Sequence, residues 1–202
     1  MIKLGVKYRN LQKLYNDKIN VHEFIEVNNL SDLIDYATKN DRFSIRFDRE
    51  ADYHGLPFYK YAAADYTPEA GEKYLHDIAH EAEKLNCTMI CANGHMYDNI
   101  QICNFVIKIN EQYDFMLEWS TEKVPLRDMY QYKTSILQGN IKDLIKDMQW
   151  ENKLDNKIEE SQVEEILSWA LKTGYLNKNI EATLYPVKVG LWNEKIVCWQ
   201  TD

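Results

Sequence analysis

Between Phe43 and Asn86 the spacing of apolar residues changes, and that change limits what the chain can become. Phe43, Ile45 and Phe47 alternate with Ser44, Arg46 and Asp48, the two-residue period of a strand with one covered face. Leu75, Ile78, Ala82 and Leu85 then recur at the period of a helix, opened by Thr67 as N-cap with Pro68 in the first position and running to about Asn86. A segment patterned for one geometry turns half its apolar side chains to water in the other. Strand and amphipathic helix must therefore be laid against each other.

The same alternation recurs along the chain. "LSDLIDYATKND" predicts a helix with Ser31 as N-cap and Leu33, Ile34 and Ala37 inward. "CTMIC" reads as a buried strand, and "ANGHMYDN" as a turn-rich loop. "QICNFVIKI" and "DFMLEWS" form a β-hairpin around a polar turn at Asn110–Tyr113. A helix is expected from Asn140 to about Gln149, with Ile141, Leu144, Ile145 and Met148 inward. After the acidic "WENKLDNKIEE", Ser161 and Glu164 make an S-x-x-E capping box, Val163, Ile166, Leu167, Ala170 and Leu171 make the stripe, and Gly174 ends the helix. The segment "IEATLYPVKVGLWNEKIVCWQ" reads as strand, bend at Pro186, strand, turn at Asn193, strand. Residues 1–28 follow neither period cleanly. Helices alternating with hairpins predict an α+β fold, a mostly antiparallel sheet packed by three to four amphipathic helices. We expect one domain over residues 1–202, with a sub-boundary near 150–160 at the acidic linker.

Charge narrows the function classes. The formal net charge is -8, and no basic stripe is present, so direct nucleic-acid binding is not expected. No apolar run is long enough to cross a membrane as a helix. The start, "MIKLGVKYRN", carries Lys3, Lys7 and Arg9 and no following apolar run, which argues against a signal peptide and for the cytoplasm. Cys87, Cys91, Cys103 and Cys198 lie in apolar segments without a CxxC pair, the pattern of buried thiols.

Familiar catalytic signatures are missing. Neither GxxxxGK[ST] nor GxGxxG occurs, and there is no GxSxG elbow. His76 and His80 are four apart on the predicted helix, a spacing that suits a metal, but helical geometry puts both on the side of Lys73, Glu83 and Lys84, away from the apolar face. What stands out is a set of ionic residues on apolar strands: Arg46, Asp48, Lys108, Glu118 and Glu181. If their strands share a sheet, the polar sides converge, with cations for phosphate and carboxylates for a metal or amine. The simpler alternative is a sheet with one wet face.

At these residues the sequence resembles the nucleotide-binding half of ATP-grasp proteins, in particular the pyruvate phosphate dikinase-like branch. "SIRFD", "NFVIKINEQYDFMLEWS" and the final "IEATLYPVKVGLWNEKIVCWQ" carry the likeness, over about residues 40–130 and 175–200. It implies phosphate contacts from Arg46 and Lys108, a magnesium contact from Glu118, and ATP with magnesium as ligands. It departs from that family in lacking the glycine-rich phosphate loop, and 202 residues fall short of a complete ATP-grasp enzyme.

Two functions stay open. The first is a non-enzymatic, cofactor-free soluble binding protein, of a kind phages encode, that engages a host protein partner through an acidic, tyrosine-rich surface; 14 tyrosines supply contact area, and the composition suits an AT-rich bacterial or phage genome. The alternative is a degenerate ATP-grasp-like nucleotide and magnesium binder. The first is preferred here, because no complete catalytic constellation can be assembled.

Overall fold

A computed structural model of the chain describes residues 5–50, 55–93, 103–108, 115–120, 135–139, 149–151, 159–175 and 179–201. Two antiparallel sheets and four α-helices make up the described residues, an α+β fold. The chain divides into two compact units: residues 1–13 with 22–99, and residues 14–21 with 100–202.

In the first unit α1 (Val6–Asn16) begins, followed by β1 (Phe24–Val27), α2 (Leu30–Lys39), β2 (Arg42–Asp48), β3 (Phe58–Ala62), α3 (Pro68–Lys84) and β4 (Thr88–Ala92). The ambiguous opening residues thus hold a helix and an edge strand. The sheet order is β1-β4-β2-β3, with every pairing antiparallel. Phe43, Ile45 and Phe47 are fully buried under Leu33 and Tyr36 of α2 and Leu75, Ile78, Ala79 and Ala82 of α3. Each such side chain contributes about 1.5–3 kcal/mol by leaving water. This is the core that the two periods predicted.

Helix boundaries need correction in places. Asn29, not Ser31, caps α2: its side chain accepts from the Asp32 N–H. Thr67 and Pro68 open α3 as expected, but Leu85 falls at the C-cap and is 38% exposed.

The second unit carries β5 (Cys103–Lys108), β6 (Phe115–Ser120), β7 (Ser135–Gly139), β8 (Gln149–Glu151), α4 (Glu160–Thr173), β9 (Ile180–Val189) and β10 (Glu194–Thr201). Its sheet order is β10-β9-β5-β6-β7-β8. The β5–β6 hairpin pairing is as expected, while its turn at 109–114 and the helix expected over 140–148 lie outside the described residues. Gln149 opens a strand. The capping box of α4 sits two residues earlier than the sequence signature, with Glu159 and Gln162 bonding reciprocally, and Gly174 ends the helix in the left-handed region at φ 74°. Trp169, missing from the predicted stripe, is buried edge-on to Phe105 at 6.3 Å, whereas Leu171 is exposed. Pro186 does not break β9; it lies where the β9–β10 register shifts, a site that tolerates a lost donor.

A buried asparagine fixes the β9–β10 hairpin. Asn20 Nδ2 donates to the carbonyls of Val189, Glu194 and Ile196, and its Oδ1 accepts from the Trp192 N–H at 2.8 Å. Gly190, at φ 77°, leaves the space that Asn20 fills: a Cβ there would meet Oδ1.

Candidate functional site

Register defines the site. Val106 on β5 lies directly opposite Glu118 on β6 and Glu181 on β9, and Glu181 lies opposite Gln200 on β10. Residues directly opposite in a ladder point to the same face. Gln200, Glu181, Val106 and Glu118 therefore form one transverse row. Glu118 and Glu181 are two strand spacings apart, about 10 Å between backbones, with Val106 between them. The adjacent row places Thr183, Asn104 and Ser120 opposite one another. On the other side of the acidic row, Lys108 takes the register position opposite Met116.

The opposite face is the apolar one. Phe105 aligns with Trp119 and Ala182, and Ile107 with Leu117 and Ile180, all buried. Alternation thus separates a core face from a polar face. The polar face is not simply wet: Glu118 is 6% exposed and Ser120 and Thr183 almost fully buried. Desolvated hydroxyls and a carboxylate on one sheet face need partners, and Thr183 Oγ1 has one in the Trp199 indole N–H at 2.8 Å.

Arg46 and Asp48 belong to the four-stranded sheet and share its face opposite α2 and α3. The Arg46 guanidinium lies over the Phe58 ring, 5.8 Å from its centroid. Asp48 has a structural task. Its carboxylate accepts from the backbone N–H groups of Lys7 at 3.0 Å, Tyr8 at 2.9 Å and Arg49 at 2.9 Å, while the Arg49 carbonyl accepts from Val6. Val6, Lys7 and Tyr8 stand in the first turn of α1, where no helical carbonyl can satisfy their N–H groups. A Cβ on Gly5 would collide with the same carboxylate, so glycine is required there. Glu26 stands nearby on β1, bonded by Thr88, and burial raises its pKa, with Asp48 adding to the effect.

His76 and His80 are exposed on α3, as the helix geometry predicted. Cys91 and Cys198 are buried free thiols; burial pushes the Cys91 thiol up to about 12 and Cys198 well above its ordinary value. Among the described residues, no group of three or more His, Cys, Asp or Glu side chains is arranged to hold a metal ion. Magnesium asks for less, one or two carboxylates completed by phosphate oxygens and water, and Glu118 and Glu181 fit that donor chemistry. Thr183, Ser120 and Trp199 were missed from the sequence. Period two applied to β9 and β6 places Thr183 beside Glu181 and Ser120 beside Glu118, but Trp199 leaves no such signal.

No protein-family model and no curated protein matches the sequence. Solved structures do match in fold. D-alanine–D-alanine ligase from Helicobacter pylori superposes with a TM-score of 0.52 at 15% identity, over 97% of this chain and 53% of that one. D-cycloserine synthetase DcsG gives a TM-score of 0.50 at 9% identity, over 96% of this chain and 60% of that one. A RiPP-associated ATP-grasp ligase from Chryseobacterium gregarium, in complex with ADP and a leader and core peptide, gives 0.48 at 9% identity, covering 97% and 51%. In fold, then, this chain resembles D-alanine–D-alanine ligase and D-cycloserine synthetase, and it spans about half to three-fifths of their length.

Proposed function

We propose that this chain is an ATP-grasp-like nucleotide-binding protein that holds magnesium-bound ATP on the polar face of the six-stranded sheet. One observation carries the proposal: Glu118 and Glu181 occupy one transverse row of that face, with Lys108 in the row beside them. The fold shared with D-alanine–D-alanine ligase and D-cycloserine synthetase supports it. Lys108 acts as the cation for phosphate oxygens, and Glu118, with Glu181 across Val106, as the carboxylate donor to magnesium. Bound magnesium would supply positive charge shared between phosphate oxygens. Burial of Glu118 limits its freedom before ligand arrives, which lowers the entropic cost of binding. Asp48 stays with α1, and Arg46, beside Phe58 on the other sheet, has no part in this row. The proposal covers binding and assigns no covalent step.

A thermal-shift titration tests it. ATP with magnesium at a hundred times Kd should raise the melting temperature by about 5–10 °C. Lys108→Ala should remove most of that rise while leaving the ligand-free melting temperature within about 2 °C. A wild-type chain that melts at one temperature with or without Mg·ATP defeats the proposal.

A further inference from the structure

Helix α3, in the first unit, carries a pair of histidines that the proposed function does not use. His76 and His80 stand four residues apart in the middle of its 17 residues, and both are exposed. Four residues along a helix return to within about 40° of the starting direction, with Cβ atoms about 5–6 Å apart. The two imidazoles thus rise from one stripe, bordered by the exposed Glu72, Lys73, Glu83 and Lys84. The helix beneath them is held by other means. Leu75, Ile78, Ala79 and Ala82 are buried in the core, Thr67 caps the first turn, and neither histidine lies in the last turn, where fraying begins.

Such a pair has the reach of a chelate. Two nitrogens that share one cation at about 2.0–2.1 Å must come within about 3 Å of each other. Imidazoles leaning from neighbouring Cβ atoms close that gap by choice of rotamer, without moving the backbone. Nδ1 of His80 lies 3.9 Å from the Glu83 carboxylate, one turn further on. A carboxylate on that side favours the Nδ1–H tautomer and leaves the Nε2 lone pair for a metal. Neutral imidazole suits copper(II), nickel(II) and zinc(II), whereas magnesium and calcium take oxygen. Among the described residues no group of three His, Cys, Asp or Glu side chains assembles, so a cation held here keeps water at its other positions. We infer that His76 and His80 form a surface chelate for a divalent transition cation, tightest for copper(II), as the order of divalent affinities requires. It uses no residue of the magnesium site proposed above and does not depend on the nucleotide reading.

Calorimetric titration of the untagged full chain with nickel(II) chloride at neutral pH tests it. The wild type should bind saturably, and His76→Ala and His80→Ala should each weaken binding roughly tenfold or more, because the second contact to a tethered cation is intramolecular. Both positions are exposed, so the metal-free melting temperature of either variant should stay within about 2 °C of the wild type. Asp77→His combined with His80→Ala keeps two histidines on the helix but sets them about 100° apart, and should bind as weakly as His80→Ala alone. Excess magnesium should leave the wild-type isotherm unchanged. Nickel binding that neither alanine variant weakens overturns the chelate, as does the absence of saturable binding in the wild type. A repositioned pair that binds as tightly as the wild type, or displacement by magnesium, overturns the helical two-imidazole geometry on which the inference stands.

Discussion

Removing the Asp48 carboxylate should loosen α1 without touching a single core side chain. The carboxylate accepts three backbone N–H groups, two of them in the first turn of α1, and it is fully buried. A lost N-cap costs about 0.5–2 kcal/mol, and a buried donor left unsatisfied adds about 1–3 kcal/mol. These contributions overlap, so Asp48→Ala should cost about 3 kcal/mol, and Asp48→Asn, which keeps one acceptor oxygen, about half that. Urea unfolding followed by helical circular dichroism measures both. Gly5 supplies an internal control, because its missing Cβ is what lets the carboxylate approach. Gly5→Ala should cost about 1–3 kcal/mol in the wild type by overpacking, and at least about 1 kcal/mol less when Asp48 is already alanine. An Asp48→Ala cost under about 0.5 kcal/mol, or a Gly5→Ala cost equal in both backgrounds, would contradict the capping role of Asp48.

Other consequences follow from the same packing. Glu26 has a raised pKa, chiefly from burial, so the folded chain holds that proton more tightly than the unfolded one; the resulting penalty is absent in acid and complete above the folded pKa. Glu26→Gln should therefore stabilise the chain near neutral pH and lose that advantage as pH falls through the usual carboxylate value of 4.5, and melting curves across pH would show otherwise if the gain were flat. Asn20→Ala removes bonds to three carbonyls and one N–H of the β9–β10 hairpin and should cost about 2–4 kcal/mol, with faster amide exchange in residues 189–196; unchanged exchange there contradicts the assignment. Cys91 and Cys198, buried and held as thiols, should react with a disulfide reagent only after denaturation, read by site-resolved mass spectrometry; rapid labelling of either in the native chain contradicts their burial.

Local pattern made much of the fold legible. Phe43, Ile45 and Phe47 are the core of β2, and Thr67-Pro68 opens α3, because period and capping chemistry act within a few residues. Where two residues offered the same chemistry, local pattern could not choose. Asn29 and Ser31 are both good caps, and the Ser161–Glu164 signature outcompetes the Glu159–Gln162 box that forms, since a glutamate cap has no strong sequence mark. Leu85 and Leu171 lie at helix ends, where the apolar stripe continues and the helix has reached its last turn. Hairpins predict pairs of strands but not which pairs share a sheet. Arg46 and Asp48 on one sheet, and Lys108, Glu118 and Glu181 on the other, were therefore indistinguishable in sequence. The cap that Asp48 provides joins residues about forty positions apart, and Asn20 bonds residues still more distant; neither leaves a spacing to read.

The direct test of a nucleotide site on the six-stranded sheet is isothermal titration of Mg·ATP into the wild-type chain and into Glu118→Gln. Saturable one-site binding in the wild type, weakened roughly tenfold or more in Glu118→Gln only when magnesium is present, is the predicted result. Absence of saturable heat in the wild type, or equal affinity in both chains with magnesium, would contradict the assignment of that face.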